Sequence, residues 1–232
     1  AGGKLIGEML GKKRVVMVTL NNDFGKSLAA GFKEQAKNFG VSVLSEYEYS
    51  IKDREFGPII SKIKADKPDA IYASGYFFTA GPMVSQIRAA GLSQPIVGQE
   101  GYDSQKFIEI AGKASEGVMI TTSLDRDSSS PETKDFISGF AKKAGYPADM
   151  VAASGHTALL VVADALKRAG SSDTSALRDA ISKTSLSAST GKISFNALGE
   201  VQKDVQVQVV KDGNWHHHSV ISDAVLLAPP SK

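Results

Sequence analysis

The distribution of apolar positions opens with one clear unit. Val15-Val16-Met17-Val18 is a short β-branched run, and the polar loop Asn21-Asn22-Asp23-Phe24-Gly25 follows it. Apolar residues then recur at Leu28, Phe32, Ala36 and Phe39, three or four apart, until Gly40. A buried strand, a loop, an amphipathic helix and a glycine stop make one β/α unit over Arg14–Gly40. The pattern repeats. Strand-like runs begin at Arg14, Val41, Asp69, Pro95 and Gly117, and the residues between them fit helices. Val41–Tyr49 alternates apolar and polar residues. Phe56, Ile59, Ile60 and Ile63 form a helical stripe, as do Met83, Val84, Ile87 and Ala90, and then Phe107, Ile110 and Ala111. Five strands linked by crossover helices predict a doubly wound, parallel α/β sheet.

The rhythm breaks at Leu124. Asp125–Ser130 is a polar linker, and three helices are expected with no strand between them: about 131–144, 149–169 and 173–182. Gly191–Phe195 reads as a strand and Asn196–Glu200 as a turn. Val205, Val207 and Val209 alternate with polar residues, Asp212-Gly213 is a hairpin turn, and Trp215–Ile221 returns. The tail, Ala228–Lys232, is Pro-rich and expected to be loose. Helices with apolar stripes must cover something. Either they pack on the first sheet, or the sheet they belong to lies outside this chain.

Composition narrows the function. With 232 residues, 42% of them hydrophobic and 22% charged, the chain suits one large or two small globular domains. A formal net charge of +2 with scattered Lys and Arg argues against nucleic acid. No uninterrupted apolar run approaches the roughly 18 residues that a membrane helix needs. There is no cysteine, hence no disulfide framework and no thiol chemistry. The opening AGGKLIGEMLGKKR, interrupted by Glu8, does not read as a signal peptide, so a mature form or a fragment is expected.

Three motifs bear on chemistry. Gly25-Lys26-Ser27 resembles the end of a phosphate-binding loop, but Leu20 stands where that motif needs its first glycine. His216-His217-His218 cannot converge on one ion from a strand, because neighbours point to opposite faces. His156, inside an apolar helix, reads as a satisfied histidine. No nucleophile–base arrangement stands out, so no catalytic residue, metal or cofactor is assigned.

The loops at the carboxyl ends of the strands do converge. They are Asn21–Phe24, Gly75-Tyr76-Phe77 and Gly98–Asp103. In open α/β sheets ligands sit at such ends. Asn22, Phe24, Tyr76, Phe77, Glu100 and Tyr102 are therefore the candidate ligand-binding residues. The rim they form suits a small molecule with an apolar part and an ammonium group. Glycines 75, 98 and 101 would let the backbone approach it.

Taken in order, these segments resemble the type I periplasmic solute-binding proteins of branched-chain amino acid ABC transporters, the leucine/isoleucine/valine-binding family. The resemblance runs through KKRVVMVTLNNDFGKSLAAGFKEQAKNFGV, KPDAIYASGYFFTAGPMVSQIRAAGL, PIVGQEGYDSQKFIEIAGKASEGVMI, ALKRAGSSDTSALRDAI, TGKISFNALGE and VQVVKDGNW, nearly the whole chain. It implies two lobes joined by three crossings. Residues 1–123 and the return strands within 201–232 would form the second lobe, and 124–200 the helices returning to an incomplete first lobe. It implies Glu100 as the group that takes the ligand's ammonium, with Tyr76 or Phe77 as aromatic wall. Phe24 stands where many members have tyrosine, and Gly155-His156 where many have Tyr-Asp. It further implies reversible binding of an amino acid or amide without catalysis, a membrane permease as partner, and a periplasmic or extracellular location. The opposite lobe would come from a preceding segment or a second copy. A ligand-sensing domain on the same fold is the alternative, and a small α/β enzyme a more distant one.

Overall fold

The computed structural model describes residues 1–223 and Leu226; Ala228–Lys232, expected to be loose, lies outside the described residues. The chain divides into two compact units, Ala1–Thr122 with Val207–His216, and Ser123–Gln206 with His217–Lys232.

The first unit opens with a helical turn, α1 (Gly2–Lys4), which continues as a π-type turn over Leu5–Met9. Leu5 and Ile6 are fully buried. The regular part then alternates as the apolar pattern requires. It runs β1 (Arg14–Leu20), α2 (Asp23–Ala36), β2 (Ser42–Tyr49), α3 (Gly57–Asp66), β3 (Ala70–Ser74), α4 (Phe77–Ala89), β4 (Ile96–Gln99), α5 (Gln105–Ala111) and β5 (Met119–Thr122). β1 pairs in parallel with β2 and β3, β3 with β4, and β4 with β5. Every residue of β1 after Arg14, and all of β3, is buried, as expected of strands covered on both faces. β2, at the sheet edge, keeps its polar alternation partly exposed.

In the second unit the three helices stand where the periodicity places them: α6 (Pro131–Ala144), α7 (Met150–Ala169) and α8 (Thr174–Ser182). Asp149 and Asp173 cap the latter two by accepting from Ala152 N and Ala176 N. The strand expected at Gly191–Phe195 does not stand alone. β6 (Ser185–Ala188), β7 (Gly191–Phe195) and β8 (Val201–Gln202) form a small antiparallel sheet. Ser-Leu-Ser-Ala has little strand preference of its own, and only pairing with β7 makes β6 a strand. β9 (Val205–Lys211) and β10 (Asn214–Ile221) complete the seven-stranded sheet, in the order β10-β9-β5-β4-β3-β1-β2. They join through Asp212 and Gly213, both with positive φ, the turn expected for a two-residue hairpin.

The hydroxyls of Thr157 and Ser189 lie 3.1 Å apart, and Ser189 donates to Ala153 O. The Nδ1 of His156 is 3.1 Å from the same Ser189 hydroxyl, so this histidine is satisfied, as read. On length and composition alone α7 could cross a membrane. One stripe of it is buried here, through Ala153, Thr157, Val161 and Ala165. Its other face carries Val151 and Leu159, 69% and 72% exposed.

This division predicts a contrast. Val161→Ala should cost about 1–3 kcal/mol, because Val161 packs with Ala188 and Ile193. Leu159→Ala should stay within about 0.5 kcal/mol of wild type. Urea midpoints by circular dichroism measure both. An equal loss at Leu159 would show that its face is covered in solution.

Candidate functional site

The sheet order makes the junction of β1 and β3 special. From β1 the chain moves to one side to build β2, then returns to the other side for β3. The loops after β1 and β3 therefore diverge and leave a crevice, the usual ligand position in such sheets. Phe24 stands in the first turn of α2, just past the first loop, and Tyr76 in the second loop. Their rings stack with centroids 5.1 Å apart and planes within 6°. Tyr76 also stacks on Phe78, at 5.7 Å and 16°. Phe78 is not among the expected contacts, because it lies one residue beyond the predicted loop Gly75-Tyr76-Phe77. Phe77 is half-buried and packs against the core of the unit.

Asn22 is the N-cap of α2, its Oδ1 accepting from Gly25 N at 2.8 Å. This leaves its side chain occupied by the backbone, the plain role such a residue has at a helix start. Tyr102 does not reach the rim. It is 0% exposed, and its ring stacks on Phe107, which stacks on Trp215. The ring folds back over its own strand because residue 98 is glycine; a Cβ there would lie 2.5 Å from it. The glycines thus serve a different purpose from the one expected. They bring loops close to side chains and to each other within the protein.

Gly75 shows this best. Its φ is +154°, and a Cβ there would lie 1.9 Å from the Tyr49 hydroxyl. That hydroxyl donates to Ser74 O at 2.9 Å and lies 3.2 Å from the Thr79 hydroxyl. The Gly75 carbonyl accepts from Gln99 Nε2 at 2.8 Å. Ser74 Oγ donates to Gly25 O and accepts from Leu20 N, and Thr122 donates to the Asp103 carboxylate. Side chains therefore tie the strand ends of β1, β2, β3 and β4 together, and the loop after β4 to the end of β5. Tyr49 closes a strand and reads as a strand residue, whereas Gln99 falls in the expected loop Gly98–Asp103 but is not among the candidate contacts, because it holds backbone and carries no charge or ring.

Glu100 begins the turn after β4 and is half-buried. Neither its carboxylate nor the Tyr76 hydroxyl has a hydrogen-bond partner among the described residues. Sizeable cavities lie in the second unit. One of about 540 Å³ is lined by Arg178, Phe195 and Leu198, one of about 470 Å³ by Phe136, Phe140 and His156, and one of about 320 Å³ by Val161, Ile181 and Ile193. His217 Nδ1 is 3.1 Å from Asp125 Oδ2, and among the described residues no group of three ligating side chains is drawn together.

A profile of the periplasmic binding protein family matches residues 1–214. The chain belongs to that family. The leucine-, isoleucine-, valine-, threonine- and alanine-binding protein of Pseudomonas aeruginosa is 26% identical over 202 residues, 86% of this chain and 53% of that protein. The Leu/Ile/Val-binding protein of Citrobacter freundii is 24% identical, covering 95% of this chain and 58% of its own length. Among solved structures, a leucine-binding protein from Thermotoga maritima superposes with a TM-score of 0.87 at 29% identity, covering 97% of this chain and 65% of the other. A branched-chain amino acid transporter substrate-binding protein from Streptococcus pneumoniae, in complex with isoleucine, gives 0.85 at 25%, covering 94% and 63%. The periplasmic binding protein chain thus spans little more than half the length of the curated relatives it matches. Proteins of this family bind solutes and are not enzymes.

Two expectations follow from the rim. Gly75→Ala should destabilise the first unit by at least about 2 kcal/mol, through the clash with Tyr49 and the strained φ, read as a lower urea midpoint. Burial pushes the Tyr49 pKa up to about 12, partly countered by its hydrogen bond to Thr79. Burial also raises those of Tyr72 and Tyr102. A raised tyrosine pKa stabilises the fold below the unfolded value of about 10 and is lost as pH climbs through the folded value. Absorbance titration at alkaline pH should therefore show these three ionising late and together with unfolding. Early ionisation of all tyrosines near their ordinary value would contradict the packing.

Proposed function

We propose that this chain belongs to an extracytoplasmic solute-binding component of an ABC transporter and supplies one wall of its ligand site. The ligand is a branched-chain amino acid or a similar small zwitterion, bound reversibly and released to a membrane permease without turnover. One observation carries the reading. A half-buried carboxylate with no partner among the described residues, Glu100, stands in the loop clipped to the one that bears Tyr76, the middle ring of the Phe24–Tyr76–Phe78 stack. A carboxylate beside apolar rings matches an ammonium next to an aliphatic side chain. Phe77 adds to the apolar surface. Asn22 acts through the helix cap, and Tyr102 supports the wall from behind. The relatives named for leucine, isoleucine and valine favour the same class. Residues facing the ligand's carboxylate come from outside the first unit, in the portion of such proteins beyond these residues or in a second copy.

The test is a thermal-shift panel of the twenty amino acids with small amides and aromatic acids. A ligand at a hundred times its Kd stabilises by about 2.7 kcal/mol, a clear rise in melting temperature. Leucine, isoleucine or valine should give it, and Glu100→Ala should weaken that ligand about tenfold or more, the loss expected for a charge-assisted hydrogen bond. Unchanged affinity would remove Glu100 from the site.

A further inference from the structure

We infer that Gln99 is the positioning residue of this rim, setting the turn that carries Glu100 against the loop that carries Tyr76. Its side chain is 2% exposed and uses both ends of its amide. Nε2 donates to Gly75 O at 2.8 Å, and Oε1 accepts from Gly101 N at 2.7 Å. Gly75 precedes Tyr76 and Gly101 follows Glu100, so one amide spans the two loops immediately beside both candidate contacts. The approach leaves no slack, because a Cβ on Gly101 would lie 2.1 Å from the Gly75 carbonyl. No other residue type reproduces the clip. A carboxylate cannot donate to the carbonyl, a lysine cannot accept from the amide, and asparagine is one methylene too short to span both. Glu100 is held from both sides, since Asp103 N also donates to its carbonyl at 3.1 Å. Gln99 thus acts on a ligand only through the placement of Glu100. In its consequence for binding, this role rests on the function proposed above.

The experiment uses the whole chain with Gln99→Met, Glu100→Gln and the double variant. Hydrogen exchange at the Gly101 amide reads the clip without any ligand. In Gln99→Met it should speed up at least about tenfold while β1 amides keep their rates. L-leucine titration by calorimetry reads the consequence. Gln99→Met alone should weaken leucine about tenfold, and in the Glu100→Gln background by less than about twofold, the non-additivity of residues acting through one contact. A Gly101 amide that stays protected overturns the clip. Losses that multiply independently overturn positioning and leave Gln99 a purely structural residue. If wild type takes up no leucine, the proposed ligand fails, and the exchange result alone decides whether the clip exists.

Discussion

The rim depends on how closely the β3–α4 loop approaches its neighbours at Gly75. A residue with any side chain would meet the Tyr49 hydroxyl there, so the end of β2 and the end of β3 touch only because position 75 is glycine. Once they touch, the Gly75 carbonyl faces β4 and needs a donor, since an unpaired buried carbonyl is costly. Gln99 supplies it, and the other end of the same amide satisfies Gly101 N. Aromatic stacking then follows from position: with the β3 loop fixed, Tyr76 lies against Phe24 across the switch point. Packing decides where the loops are, and hydrogen bonds decide that they stay there.

This arrangement separates two classes of polar group. Ser74, Gln99, Asp103 and Thr122 are buried and hydrogen-bonded, and they hold backbone. Glu100 and the Tyr76 hydroxyl are half-exposed and without partners among the described residues. A rim whose internal polar groups were unsatisfied would bend to satisfy them when a ligand arrived. Here the Tyr102 hydroxyl alone of the rim's buried groups lacks a partner among the described residues, and the satisfied remainder supplies preorganisation, which lowers the cost of binding.

Much of this was legible in the residues. The five-strand rhythm, the three later helices and the Asp212-Gly213 hairpin follow from period, length and turn chemistry, which are local properties. The strand ends pointed to the right loops for the same reason. What could not be read was direction. Tyr102 follows a strand as Tyr76 does, yet it turns inward to Phe107 and Trp215, and Trp215 lies more than a hundred residues away in sequence. The glycines were recognised as close approaches, but their partners, Tyr49, Tyr102 and the Gly75 carbonyl, are set by the sheet. β6 escaped because its strand character comes from β7, not from Ser-Leu-Ser-Ala. The second unit showed the same limit at α7. Apolar residues occupy much of its circumference, and periodicity alone does not say that Val161 is covered while Leu159 is open.

On the proposed function, selectivity follows from the state of Glu100 before binding. Its carboxylate is partly in water, and a ligand that closes over it removes that water. The loss is offset only if the ligand brings a donor of opposite charge, since an ion buried without one is far more costly than a neutral group. An α-amino acid brings an ammonium. A simple aromatic or aliphatic acid brings a second carboxylate and is repelled, although the Phe24–Tyr76–Phe78 surface would accept its apolar part equally well. Discrimination between these classes therefore arises from the penalty for leaving Glu100 unpaired more than from added attraction. On that proposal the aromatic stack would set which side chains fit, and the carboxylate which head groups are tolerated. Gln99 and Asp103 N hold the backbone of this turn in place. On the proposed function, a fixed turn is what lets one half-exposed carboxylate act as a filter.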